Sequence, residues 1–229
     1  MDRPQRTIEH GFTLIELLIA MAISLIVLTS ISSAFIIQRK AYNLEEQKTE
    51  MIQTARAAMD LISSEVKMAG YHHWDQTFTP LLQTTDSTTA PTTYVGMLYD
   101  DVNDPPKLGI KADLNSDGNT AGANEEIVYD YDSTDKQIDR DTGGGGQPFA
   151  ENIEDFSFRY FGHNYDAATE SVVDDEITSS LEQERIRVIE ITIIARTADP
   201  DPNYTDPTHG DGYRRYTLTS YITPPNLRN

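Results

Sequence analysis

Apolar and polar positions change their spacing twice along this chain. From Leu17 to Ile37 there are 21 consecutive positions with no charge and no proline. As a helix, rising about 1.5 Å per residue, the stretch covers roughly 30 Å, the thickness of a bilayer's hydrocarbon core. Farther on, Leu44, Met51, Ile52, Ala55, Met59, Ile62 and Val66 mark one apolar helical stripe built largely on steps of three and four. Glu45, Glu46, Glu50, Arg56, Asp60 and Lys67 fall on the opposite face, with Arg56 and Asp60 spaced as a helical pair. Neither glycine nor proline occurs from Phe12 to Ala69, so a single long helix is predicted, ending at Gly70. Its first half is apolar all round and suits lipid or a fibre core, while its second half is one-sided and suits packing on a domain.

After Gly70 the apolar period drops towards two. Strands are predicted at about Tyr94–Tyr99, Ile127–Tyr131, Ile153–Phe161, Ile186–Arg196 and Tyr213–Ile222. Residues 77–93, rich in Thr, Ser and Pro, and 199–211, rich in Asp, Pro and Gly, read as loops. The fold class expected is α+β, a long N-terminal helix against a mainly antiparallel sheet. The run Gly143–Gly146 joins strands; no helix with Lys-Ser/Thr follows it to make a phosphate loop.

Composition narrows the function. The formal net charge is −19, with no Lys/Arg-rich run, so nucleic acid is not an expected partner. No cysteine is present, which excludes disulfides, thiol catalysis and cysteine metal sites. No Gly-x-Ser-x-Gly elbow or His-Glu-x-x-His helix appears, and the acid pairs Asp100/Asp101 and Asp174/Asp175 sit in loop-like sequence without an apolar pocket. An enzyme is therefore not expected. Length fits one anchored helix and one globular domain.

One carboxylate, Glu16, sits at the edge of the uncharged run. A charge near the start of such a helix costs on the order of 2 to 3 kcal/mol or more unless a partner neutralises it. A cut after Gly11 would make Phe12 the first residue, and its ammonium could pair with Glu16 of a neighbouring copy. A secretory signal would instead carry an apolar region of about 7 to 15 residues with its cleavage site after it. Gly11, Phe12, Thr13, Leu14 and Glu16 together resemble the class III signal of type IV pilins, pseudopilins and their relatives. That resemblance implies a leader at 1–11, a membrane and assembly segment at 12–38, an amphipathic segment at 39–70 and a β-rich head at 71–229. It implies cleavage by prepilin peptidase between Gly11 and Phe12, N-methylation of Phe12, and subunit engagement through Glu16. Arg3 and Arg6 against Asp2 and Glu9, with Arg39 and Lys40 beyond the span, leave orientation undecided by charge. The resemblance places the head in the periplasm, the helix in the inner membrane, and the assembled chain in a surface pilus.

Arg39-Lys40-Ala41-Tyr42, Met68-Ala69-Gly70-Tyr71, 150–156 and 213–218 are similar to PilW-type minor pilins. This implies a low-abundance subunit that primes or caps pilus assembly with other minor pilins and the major pilin. A J-type minor pseudopilin of type II secretion and a membrane-tethered calcium-dependent adhesin are the alternatives carried beside it. For calcium, Asp113, Asn115, Asp117 and Asn119 space oxygens at every second residue around Gly118, as in the opening of a calcium loop. The twelfth position is Asn124, so the closing carboxylate would be Glu125. The same residue types also form tight turns without metal, and both readings stay open. His72 and His73 are adjacent, and His163 and His209 stand apart, so no zinc pattern emerges. Asn203-Tyr204-Thr205 matches a glycosylation sequon.

Overall fold

The computed structural model describes residues 12–71, 97–98, 107–117, 124–166, 171–177 and 186–227. Helix α1 runs from Leu14 to Met68 without a break, as the lack of glycine and proline predicts. It ends where Gly70 takes φ 74°, a left-handed conformation that closes helices at little cost only for residues such as glycine. The chain divides into two compact units, Met1–Glu46 and Gln47–Asn229.

In the second unit, β1 (Met97–Leu98), β2 (Leu108–Lys111), β3 (Glu126–Asp132), β4 (Gln137–Asp141) and β5 (Gln147–Glu151) form one five-stranded antiparallel meander. A second antiparallel sheet has the order β7-β6-β8-β9, from β6 (Ile153–Asp166), β7 (Ser171–Ile177), β8 (Ile186–Arg196) and β9 (Arg215–Ile222). The predicted 94–99 strand is described only at β1. Strands β2, β4, β5 and β7 were not predicted: β2 holds four residues, β4 and β5 mix charge and Pro148 among their apolar positions, and β7 carries Asp174-Asp175-Glu176.

Met51, Ala55, Ala58, Met59, Ile62 and Val66 of α1 form one buried cluster with Leu108, Ile127, Tyr129 and Ile138 of the first sheet and Phe156, Tyr160, Ile189, Ile191 and Ile193 of the second. Each fully buried Ile or Phe contributes about 1.5 to 3 kcal/mol relative to exposure. On β3, buried Ile127, Tyr129 and Tyr131 alternate with the partly exposed Glu126, Val128, Asp130 and Asp132, as a half-buried strand requires. On β6 and β8 the alternation breaks where the register shifts, between Ile153 and Asp155 and between Phe161 and Gly162. These irregularities put Ile153 and Phe156, three apart, on the same buried face, and likewise Ile186 and Ile189.

Candidate functional site

The described part of the first unit is an apolar helical stretch. Leu14, Leu17, Leu18, Met21, Leu25, Leu28, Phe35 and Ile37 are all more than half exposed in the single chain. Among the described residues, this is the one helix long and apolar enough to cross a membrane, by length and composition. Ser24, Thr29, Ser30 and Ser33 donate their hydroxyls to the carbonyls of Ala20, Leu25, Ile26 and Thr29, one turn back. That satisfies each hydroxyl within its own helix, as an apolar medium demands.

At the helix start, Phe12 and Thr13 lie outside the helix and Leu14 opens it. Thr13 and Glu16 form a reciprocal capping box. The Glu16 N–H donates to Thr13 Oγ1 at 3.3 Å, while the Thr13 N–H and hydroxyl both donate to Glu16 Oε2 at 2.8 Å. Two helix-start donors are thereby satisfied, and a carboxylate sits where the helix dipole favours negative charge. Phe12 is 89% exposed. Gly11, the other side of the expected cut, lies outside the described residues.

In the candidate calcium loop, Asp113 and Glu125 are buried and their carboxylates accept backbone N–H groups: Asp117 N–H to Asp113 Oδ1 at 3.1 Å, and Asn115 N–H to Glu125 Oε1 at 3.1 Å. The Asp117 N–H also reaches Asn115 Oδ1 at 2.8 Å, and Asn115 Nδ2 donates to Asp117 Oδ2 at 3.0 Å. These four residues are brought together. Asn119 lies outside the described residues, among which no group of three or more His, Asp or Glu side chains is arranged to hold a metal.

His72, His73, Asp100 and Asp101 fall outside the described residues. His209 Nδ1 lies 3.1 Å from Asp206 Oδ1. The Asn203 N–H donates to Asp201 Oδ1 at 2.9 Å in an exposed turn.

Two charged constellations were not read from the sequence. Glu65, on the buried face of α1, accepts from the Tyr129 hydroxyl and from Arg140, whose Nη2 lies 2.6 Å from Oε1 and Nε 3.3 Å from Oε2. Burial, reinforced by Glu65, pushes the Tyr129 phenol well above its usual range. The signal was present, since Glu65 follows Ile62 by three and so shares the stripe. The second is centred on Glu154, which meets Lys136 at 3.3 Å, Arg196 at 3.3 Å and Arg215 at 3.2 Å. Burial alone would raise its carboxyl, yet these cations hold it below the ordinary glutamate value. Arg215 also pairs with Asp211 at 2.7 Å and Asp206 at 3.4 Å, while Arg214 pairs with Asp201 at 2.8 Å. Residues 197–214 thus close on themselves through ion pairs, and the loop is tied to α1 through Asp199 and Gln47, whose side-chain oxygen accepts the Asp199 N–H at 3.1 Å. The partners of Glu154 come from positions far apart in sequence, which no local pattern exposes.

Comparison with known proteins bears on the N-terminal segment. Residues 6–32 match the family model of the prokaryotic N-terminal methylation motif. Among solved structures, the chain is similar to a type IV-like pilin from Thermus thermophilus, with 11% identity, a TM-score of 0.42, and coverage of 79% of this chain and 97% of that one. No curated protein matches the chain.

Proposed function

We propose that this chain, type IV pilin-like by its N-terminal methylation motif, is a minor subunit that primes or caps a type IV pilus and enters the fibre through α1. One observation carries the reading: a lone carboxylate, Glu16, in the first turn of α1, just before the uncharged, membrane-length stretch 17–37 whose apolar side chains are exposed. In a low-dielectric fibre core an unneutralised carboxylate is expensive. A neighbour's amino terminus, made by prepilin peptidase between Gly11 and Phe12 and N-methylated at Phe12, neutralises it. Before assembly the helix holds the chain in the inner membrane with its head in the periplasm; afterwards the chain is part of the surface pilus beside other minor pilins and the major pilin. The net charge of −19 supports low copy number, because adjacent identical copies repel one another.

No metal is required in this reading. The Asp113 and Glu125 carboxylates already accept backbone N–H groups, as in tight turns without an ion. A chelator therefore leaves the melting temperature of the purified chain unmoved, and a drop of several degrees would restore the calcium reading.

The decisive test is a deletion strain, with surface pili counted by electron microscopy and the secreted proteins profiled beside them. Loss of pili with normal secretion is expected. Intact pili with a secretion defect would move the chain to the J-type pseudopilins. If both remain intact and only surface attachment falls, the chain acts as a tethered adhesin.

A further inference from the structure

The margins of the two sheets are finished differently. β1 holds two residues, β5 carries Pro148 and meets β4 with a register shift between Ile138 and Asp139, and β7 carries Asp174, Asp175 and Glu176 in a row. Shortness, proline, irregular register and clustered charge each discourage a further strand from adding to a sheet. β9 has none of them. Its pairing with β8 is unbroken from Arg215 to Ile222, and it contains no proline, no acid and a single charge, Arg215. Among the described residues β9 pairs with β8 alone, so one row of its backbone donors and acceptors faces no strand within that set.

The two faces of β9 define what would fit beside it. Tyr216 and Leu218 are partly buried against the margin of the core, and Ile222 is buried. On the other face Thr217, Thr219 and Tyr221 are exposed; Thr219 Oγ1 lies 3.0 Å from Thr192 Oγ1, and Tyr221 is the register partner of Glu190. An added strand would set apolar side chains beside Tyr216 and Leu218 and polar ones beside Thr217, Thr219 and Tyr221. The net charge of −19 favours a basic segment and opposes an acidic one, a second copy of this chain included.

We propose that β9 is a docking edge whose occupant is an extended, basic segment of another protein, alternating apolar and polar residues, which adds to the second sheet beside β9. This edge belongs to the second unit, so its docking role goes beyond the assembly reading and does not depend on it.

The probe is a fluorescein-labelled peptide, Val-Lys-Val-Thr-Val-Lys-Val-Thr, titrated by anisotropy against the purified full-length chain in non-ionic detergent, with backbone hydrogen exchange read on the saturated complex. A peptide of the same sequence and charge, with alternate amides N-methylated, separates strand addition from charge attraction. Saturable binding of the plain peptide is expected, weakened about tenfold by N-methylation, with slowed exchange in 215–222. The double variant Thr217→Lys, Thr219→Lys changes exposed positions and should weaken binding about three- to tenfold by setting like charges across the new strand pair. Absence of saturable binding overturns the proposal. Equal affinity for the N-methylated peptide overturns it as well, because charge or side chains alone then account for the complex. Slowed exchange in β7 without β9 does the same by assigning the docking to the acidic edge. Because the chain has no cysteine, Thr219→Cys supplies a single thiol, expected to remain monomeric under mild oxidant; rapid, complete conversion to a disulfide dimer would instead name a second copy as the occupant and overturn the assignment to a basic partner.

Discussion

Two glutamates on the same helix are satisfied in opposite ways. Glu16 is exposed and bonded to a residue three positions away, whereas Glu65 is buried and bonded to residues 64 and 75 positions away. Removing Glu65 leaves a partly buried guanidinium and a buried phenol without their acceptor. Glu65→Ala should lower stability by about 2 to 4 kcal/mol, read by chemical denaturation. Glu65→Gln, which still accepts from Tyr129, should lower it less. At the other end of α1, Glu16→Ala should insert in the membrane at normal levels yet fail to enter fibres, as fractionation would show. Replacing Gly11 should leave the precursor uncut, and recovery of a normal mature amino terminus from that variant would remove the peptidase step.

At the scale of elements, the 197–214 loop shows how a chain without cysteine closes a long connection. Arg215 gathers Asp206, Asp211 and Glu154, and a close approach of backbone at Gly212 seals the base, where an added Cβ would lie 3.0 Å from the Asp201 carbonyl. Arg215 holds the Asp211 carboxyl down at about 2, and the His209 and Thr208 N–H groups hold Asp206 well below the ordinary aspartate value. Both carboxyls are depressed on folding. The stability they contribute is therefore full above the unfolded aspartate value of about 3.9 and is lost as pH falls through the folded values. The thermal midpoint should accordingly decline between about pH 4 and about pH 2, with proteolysis starting in this loop, and Arg215→Gln should flatten that decline. The end of α1 gives a second check. Gly70→Ala places a Cβ in the left-handed region and should cost about 1 kcal/mol in the same denaturation assay.

Across the whole molecule, charge and apolar surface are segregated by segment. Residues 17–37 contain no charge at all, and the acidic residues of the remaining chain leave a net −19. The apolar face draws copies together and the acidic remainder drives them apart, so association of the detergent-solubilised chain should respond to ionic strength. Light scattering should show a rise in self-association between low salt and about 0.5 M, where charges more than about 4 Å apart are screened. An indifferent response would mean that the acidic surface plays no part in holding copies apart.

What was legible in the sequence follows from how locally each feature is determined. The continuous helix, its stop at Gly70 and the membrane-length apolar run depend on residues adjacent in sequence, and α1 from Leu14 to Met68 follows them closely. The longer strands were found because alternation persists over enough residues to register, while β2, β4, β5 and β7 are short or carry charge that masks it. The candidate residue Glu16 stood out because a lone carboxylate at the edge of an uncharged run is conspicuous, while its bonds to Thr13, within a single turn, were not read from the sequence. Strand order, the register shifts in β6 and β8, and the partners of Glu65 and Glu154 were decided only by tertiary structure. They depend on which distant segments meet, and that choice is made by the summed burial of apolar faces from α1 and both sheets, a quantity no single stretch of sequence contains.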